Sequence, residues 1–181
     1  MRRSAALLAF APLLLVHCDA AHPAAPTPGP ALTQVPGVRA KIVGVDEGGA
    51  DLQLVFEPHA EVVKVLEDFA ERNEWRSLHF VGLGACTDAI VGYYDPTVKA
   101  YEKKALNQQM EIVSLVGDAA KGNPNDAFHA HIALGFADGT VHGGHLFEAH
   151  VLPTLELFVR GSHVPMTRRH DDASNAELLV P

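Results

Sequence analysis

The sequence predicts an α/β (α+β) domain built on a mostly antiparallel sheet packed by a few helices. Three observations predict it. One segment carries an amphipathic helix pattern. The rest of the body reads as short apolar strands punctuated by glycine. The connections between the last strands are too short for crossover helices, which imposes antiparallel pairing. Composition agrees: 181 residues, 48% hydrophobic and 20% charged, suffice for one good core.

Each element has a local reason. Arg39 to Asp46 alternates as a strand does, and Glu47 to Asp51 turns the chain. Leu52 to Phe56 reads as a short strand or the start of a helix. Pro58 suits a first helical turn, where no N–H is needed. Val62, Val63, Val65, Leu66, Phe69 and Ala70 then mark one face at helical spacing, with Glu61, Lys64, Glu67, Asp68 and Glu71 opposite. Asn73 ends the helix. Leu78 to Leu83 and Ala89 to Tyr94 read as two strands, with Gly82, Gly84 and Gly92 between and within them. Asp95-Pro96 is a turn, and Val98 to Leu106 is ambiguous. Met110 to Val116 is a strand, and Gly122 to Asp126 a loop. Phe128 to Phe136, Thr140 to His150 and Thr154 to Val159 follow as consecutive strands.

The front of the chain reads as an address. Residues 1–24 begin Met-Arg-Arg, continue with an apolar run from Ala5 to Val16, and exit through small residues at Ala20, Ala21 and Ala24. That is the pattern of a secretory signal, and the run is shorter than the ~20 residues of a membrane span. Leu15-Val16-His17-Cys18 resembles a lipoprotein cleavage box, with His17 in the small-residue position. Residues 25–37, rich in Pro and Ala, read as an extended tether. The domain follows at 38–181. The expected location is therefore exported: periplasmic, or membrane-anchored through a lipid on Cys18.

Charge argues against one class of function, nucleic-acid binding, which stays only as a disfavoured alternative. Acids outnumber bases 22 to 14, for a formal charge of −8. Cleavage before Cys18 removes Arg2 and Arg3 and no acid, so the bases fall to 14 − 2 = 12 and the imbalance deepens. Binding to nucleic-acid phosphate needs clustered Lys and Arg, so nucleic acid is not an expected partner. The two cysteines cannot make a disulfide scaffold, and Cys86 reads as a small buried hydrophobe.

The chemistry concentrates in a histidine hairpin. Of eleven histidines, His129, His131, His142, His145 and His150 fall in one short stretch. His129 and His131 share one strand face, ~7 Å apart. The turn leaves two registers open. A two-residue loop at Asp138-Gly139 sets His131 opposite Leu146, and brings His142 and Glu148 to the His129 face. A three-residue loop with Gly139 left-handed sets His131 opposite His145, and a bulge at Gly143-Gly144 would make the same adjustment. Either way three imidazole or carboxylate groups share a face, the ligand count of an open zinc site. Zinc is the expected ion; other divalent transition metals also accept imidazole. Metal-activated water would make a hydrolase or lyase acting on a small molecule the alternative function. Glu111, Glu148 and Glu156, on neighbouring strands, are then the candidate carboxylate bases.

The hairpin, with other segments, resembles a known family. His129-Ala-His131, Asp138-Gly139 and Gly143-Gly-His-Leu146 resemble the signature hairpin of the plants-and-prokaryotes conserved (PPC) domain. Gly49-Ala-Asp-Leu52, Leu78 to Ala85, Tyr93-Tyr94-Asp95, Glu111 to Gly117, Thr154-Leu-Glu156 and Arg168-Arg169 with Leu178 match its other segments in order. The resemblance implies a compact α/β domain, a homotrimer, and a metal site at His129, His131 and His145. It also brings a DNA-binding label, taken by analogy from plant members with an AT-hook. This chain has no Arg-Gly-Arg-Pro hook.

Overall fold

The structure, a computed structural model, describes residues 31–120 and 127–180. The signal reading at 1–24, Cys18 and the loop at Gly122 to Asp126 lie outside them. Nine strands and one helix are described: β1 Val38–Asp46, β2 Gly49–Phe56, α1 Val62–Arg72, β3 Ser77–Asp95, β4 Ala100–Leu106, β5 Met110–Ala120, β6 Ala127–Gly135, β7 Val141–Ser162, β8 Thr167–Asp171 and β9 Ala176–Val180. Seven strands form one sheet in the order β1-β2-β7-β6-β5-β3-β4, and β7 also pairs with β3. The ladder β3–β5–β6–β7 thus closes on itself. Every pairing between these strands is antiparallel. The sheet is the expected one, but a single helix packs it among the described residues, where a few were expected.

The segment at 52–56 is a strand. Leu52, Leu54 and Phe56 are fully buried, while Gln53 and Val55 alternate outward. The helix begins later than Pro58 suggests, because the backbone first turns at His59, whose φ is +68°. Glu61 is its N-cap, accepting from the amides of Val63 at 3.1 Å and Lys64 at 2.7 Å. Val62, Leu66, Phe69 and Ala70 form its buried stripe, as the spacing predicts. Asn73 closes the far end: its Nδ2 donates to the Phe69 carbonyl at 3.0 Å. Asn73 also binds the backbone of Thr33, and Val35 is buried in the core. Contacts with the domain therefore extend to Thr33, upstream of Val38.

Two pairs of expected strands are single long strands. β3 runs straight through Gly82 and Gly84, where register shifts bend the strand without breaking it. A Cβ at Gly82 would lie 2.2 Å from the carbonyl oxygen of Glu156, so this glycine permits the close approach of β7. β7 likewise runs through Pro153. Residues 152–154 have no ladder partner among the described residues, and proline is tolerated where a bulge leaves its position unpaired. The ambiguous segment is the exposed edge strand β4. The β8–β9 hairpin, Thr-Arg-Arg-His-Asp and Ala-Glu-Leu-Leu-Val, carries no alternation that sequence could read. The core joins α1 to the inner face of the sheet in one cluster.

Candidate metal centre

The site is a product of strand alternation and one turn. On β6, Ala130, Ile132 and Leu134 point into the core, so His129 and His131 point out. The turn to β7 takes the longer form. The Phe136 amide donates to the Thr140 carbonyl at 2.9 Å, and the Gly139 amide to the Phe136 carbonyl at 2.9 Å. Gly139 has φ +83°, and Asp138 Oδ1 accepts from the Thr140 amide and hydroxyl. Three residues therefore form the loop, and His131 lies directly opposite His145.

The three rings converge. Ring centroids are 5.3 Å apart for His129–His131, 5.3 Å for His129–His145 and 5.7 Å for His131–His145. One nitrogen from each lies within 4.8 Å of the other two. Tyr101 and Phe147 flank His145 at 4.6 and 4.7 Å. His145 Nδ1 is buried and has no hydrogen-bond partner among the described residues. Burial, then the neighbouring charges, pushes the His145 pKa down to about 4. Burial and the Arg168 guanidinium also lower that of His129. Both rings are thus held neutral, the form that ligates metal.

Arg168 and the β8–β9 hairpin enclose one side. Arg168, 7% exposed, ion-pairs with Asp118 and donates to the Glu177 carbonyl at 3.1 Å. Its Nη2 stands 3.5 Å from His129 Nδ1. An open cleft of about 800 Å³ leads to the cluster, lined by His129, His145, Tyr101, Phe147, Arg168 and Leu178 among others.

These neutral rings have a measurable consequence. In the metal-free protein they resist protonation, whereas in the unfolded chain they protonate near the ordinary value of 6.5. The unfolded state then binds more protons, so stability falls as pH drops from 6.5 towards about 4, and these groups add no slope above that window. Thermal unfolding in chelator across this range will show the loss, and His145→Asn will reduce it.

The other expected residues fall elsewhere. His142 packs on Phe136 and His163 stacks on Trp75. Glu111 and Glu156 are not in the cluster: they pair with Gly135 of β6 and Val55 of β2. Glu148 and His150 gather with Asp88, a residue the sequence reading passed over. Cys86 is fully buried, and burial raises its thiol to about 12, so it is no nucleophile. The roles of Tyr101, Phe147 and Arg168 at this site also escaped the sequence reading, because each comes from a strand distant in sequence or follows the motif.

Comparison with known proteins identifies the family. The model of the Plants and Prokaryotes Conserved (PCC) domain matches residues 45–162. No curated protein matches. Among solved structures, a metal-containing protein from Archaeoglobus fulgidus is 34% identical, with TM-score 0.68 over 75% of this chain and 96% of its own. A protein from Bacteroides thetaiotaomicron with a provisional DNA-binding label is 25% identical, with TM-score 0.72 over 80% of this chain and 97% of its own. A plant- and prokaryote-conserved protein from Pyrococcus horikoshii shares the fold at 23% identity and TM-score 0.67, over 76% of this chain and 96% of its own. With its signature hairpin, closed ladder and matched span, this chain belongs to the Plants and Prokaryotes Conserved domain family.

Proposed function

We propose that this protein is an exported, homotrimeric domain that binds a divalent transition metal, zinc foremost, through His129, His131 and His145. The carrying observation is the convergence of three imidazole nitrogens within 4.8 Å, one ring of which holds a buried nitrogen with no partner. The donor set fits: neutral imidazoles suit zinc, which holds them at ~2.0–2.1 Å, so loading draws the three rings together. The metal-containing relative from Archaeoglobus supports the same reading. Three protein ligands leave a coordination position for water or a small molecule arriving through the cleft. A bound ion there would supply Lewis-acid activation. The residues of this chain do the rest: Tyr101 and Phe147 pack against the His145 ring and orient it, and the Arg168–Asp118 pair holds the hairpin against His129.

Elemental analysis of tag-free protein tests the reading. Purified and then supplied with zinc, it should retain metal that His129→Ala with His131→Ala releases. Less than about a tenth of an equivalent in the parent protein would sink it.

The trimer rests on the family and on an exposed apolar patch. Val81 of β3 pairs with both Val116 of β5 and Phe158 of β7, and the three are 51%, 52% and 61% exposed. Such contiguous apolar surface is what subunits cover. Light scattering at micromolar concentration should give three times the monomer mass; a monomer would contradict it. Export rests on the pattern of residues 1–24.

A further inference from the structure

We propose a second metal site, formed by Asp88, Glu148 and His150 and separate from the three-histidine cluster. Asp88 lies directly opposite His150 across the β3–β7 ladder, and Glu148 sits two residues before His150, on the same face. One ligand atom from each lies within 4.8 Å of the others. His150 Nδ1 is 2.7 Å from Asp88 Oδ1 and 3.8 Å from Glu148 Oε1. Thr87 donates its hydroxyl to Asp88 Oδ2 at 2.8 Å, which occupies that oxygen and leaves Oδ1 facing the cluster. The side chains are 34%, 40% and 34% exposed for Asp88, Glu148 and His150, half-enclosed yet reachable by an ion.

Charge points independently to a cation. Two carboxylates converge here, and among the described residues neither forms an ion pair with Lys or Arg. The nearby acid Glu61 is committed to capping α1. One imidazolium balances one carboxylate; a divalent ion balances both and lets His150 bind as a neutral ligand. The oxygen-rich donor set suits a first-row ion that accepts carboxylate with imidazole, such as manganese or zinc.

The two sites use different ligands. They share no residue, although His145 and Glu148 lie on the same strand β7, across a register shift against β3.

Calorimetric titration of tag-free, chelator-stripped full chain with zinc, repeated with manganese, tests this. Two equivalents of zinc are expected for the parent protein. Asp88→Asn and His150→Gln should each weaken one of them by about ten-fold or more and leave the other. His131→Ala should remove only that other one. Glu148→Gln, at the most exposed position, serves as the second variant should either of the first two fail to fold by thermal unfolding. Unchanged stoichiometry and affinity in these variants would overturn the second site, as would a single equivalent that His131→Ala removes. A single equivalent that Asp88→Asn removes would instead overturn the three-histidine reading and leave this one standing.

Discussion

His131→Ala should weaken zinc binding at the three-histidine site by at least ~100-fold. Loss of a mere outer-shell partner costs ~10–100-fold in metal affinity, and His131 is proposed as a direct ligand. The position isolates binding from folding. His131 is exposed on the outer face of β6, and core contacts on that strand come from Ala130 and Ile132. Truncation therefore opens no cavity, and surface changes of this kind shift stability by only ~0.5 kcal/mol. His145→Ala is a poorer probe, because it also removes the ring packed against both Tyr101 and Phe147. Competition against a chromophoric chelator measures the affinity, and thermal unfolding supplies the control. Parent-like affinity in His131→Ala would remove it from the ligand set.

Gly143→Ala should damage the same site without touching a ligand. A Cβ there would lie 2.1 Å from the Ile132 carbonyl oxygen and 3.1 Å from Ala133 Cα, both backbone atoms of β6. Neither can rotate away, so β6 and β7 must part or slip. A slip of one residue turns His145 to the opposite face. Overpacking of this kind costs ~1–3 kcal/mol, which lowers the melting temperature of a domain this size by ~2–4 °C for each kcal/mol. Metal affinity should fall with it, although all three histidines remain. Gly139→Asn is the contrast: nothing lies within 4 Å of its Cβ, and asparagine accepts the left-handed φ of +83° better than other side chains do. Near-parent melting and affinity are expected there. Equal damage from both glycine variants would show that the close approach at Gly143 does not set the register.

These contrasts mark where sequence stops informing. The helix face was legible because Val62, Leu66, Phe69 and Ala70 bury at a period that nothing else imitates. The shared face of His129 and His131 was legible for the same reason on a strand. His145 was not placed, since loops of two and three residues fit Ala137-Asp138-Gly139 equally well; the Phe136–Thr140 hydrogen bond decides between them. Gly82, Gly84 and Pro153 look like strand ends, but they are points where long strands bend or slip as they cross. Asp88 meets His150 only through the register of β3 against β7, across 62 positions of sequence. Arg168 reaches Asp118 from a hairpin without periodic pattern. Local periodicity thus carries the elements, while long-range register assembles the sites.

The proposed function stands on a metal ion held by His129, His131 and His145. A crystal structure of tag-free protein supplied with zinc, with diffraction recorded on both sides of the zinc absorption edge, tests it most directly. An anomalous peak is expected within ~2.0–2.1 Å of one nitrogen from each of the three rings. An ordered hairpin with no anomalous peak among those nitrogens would contradict it.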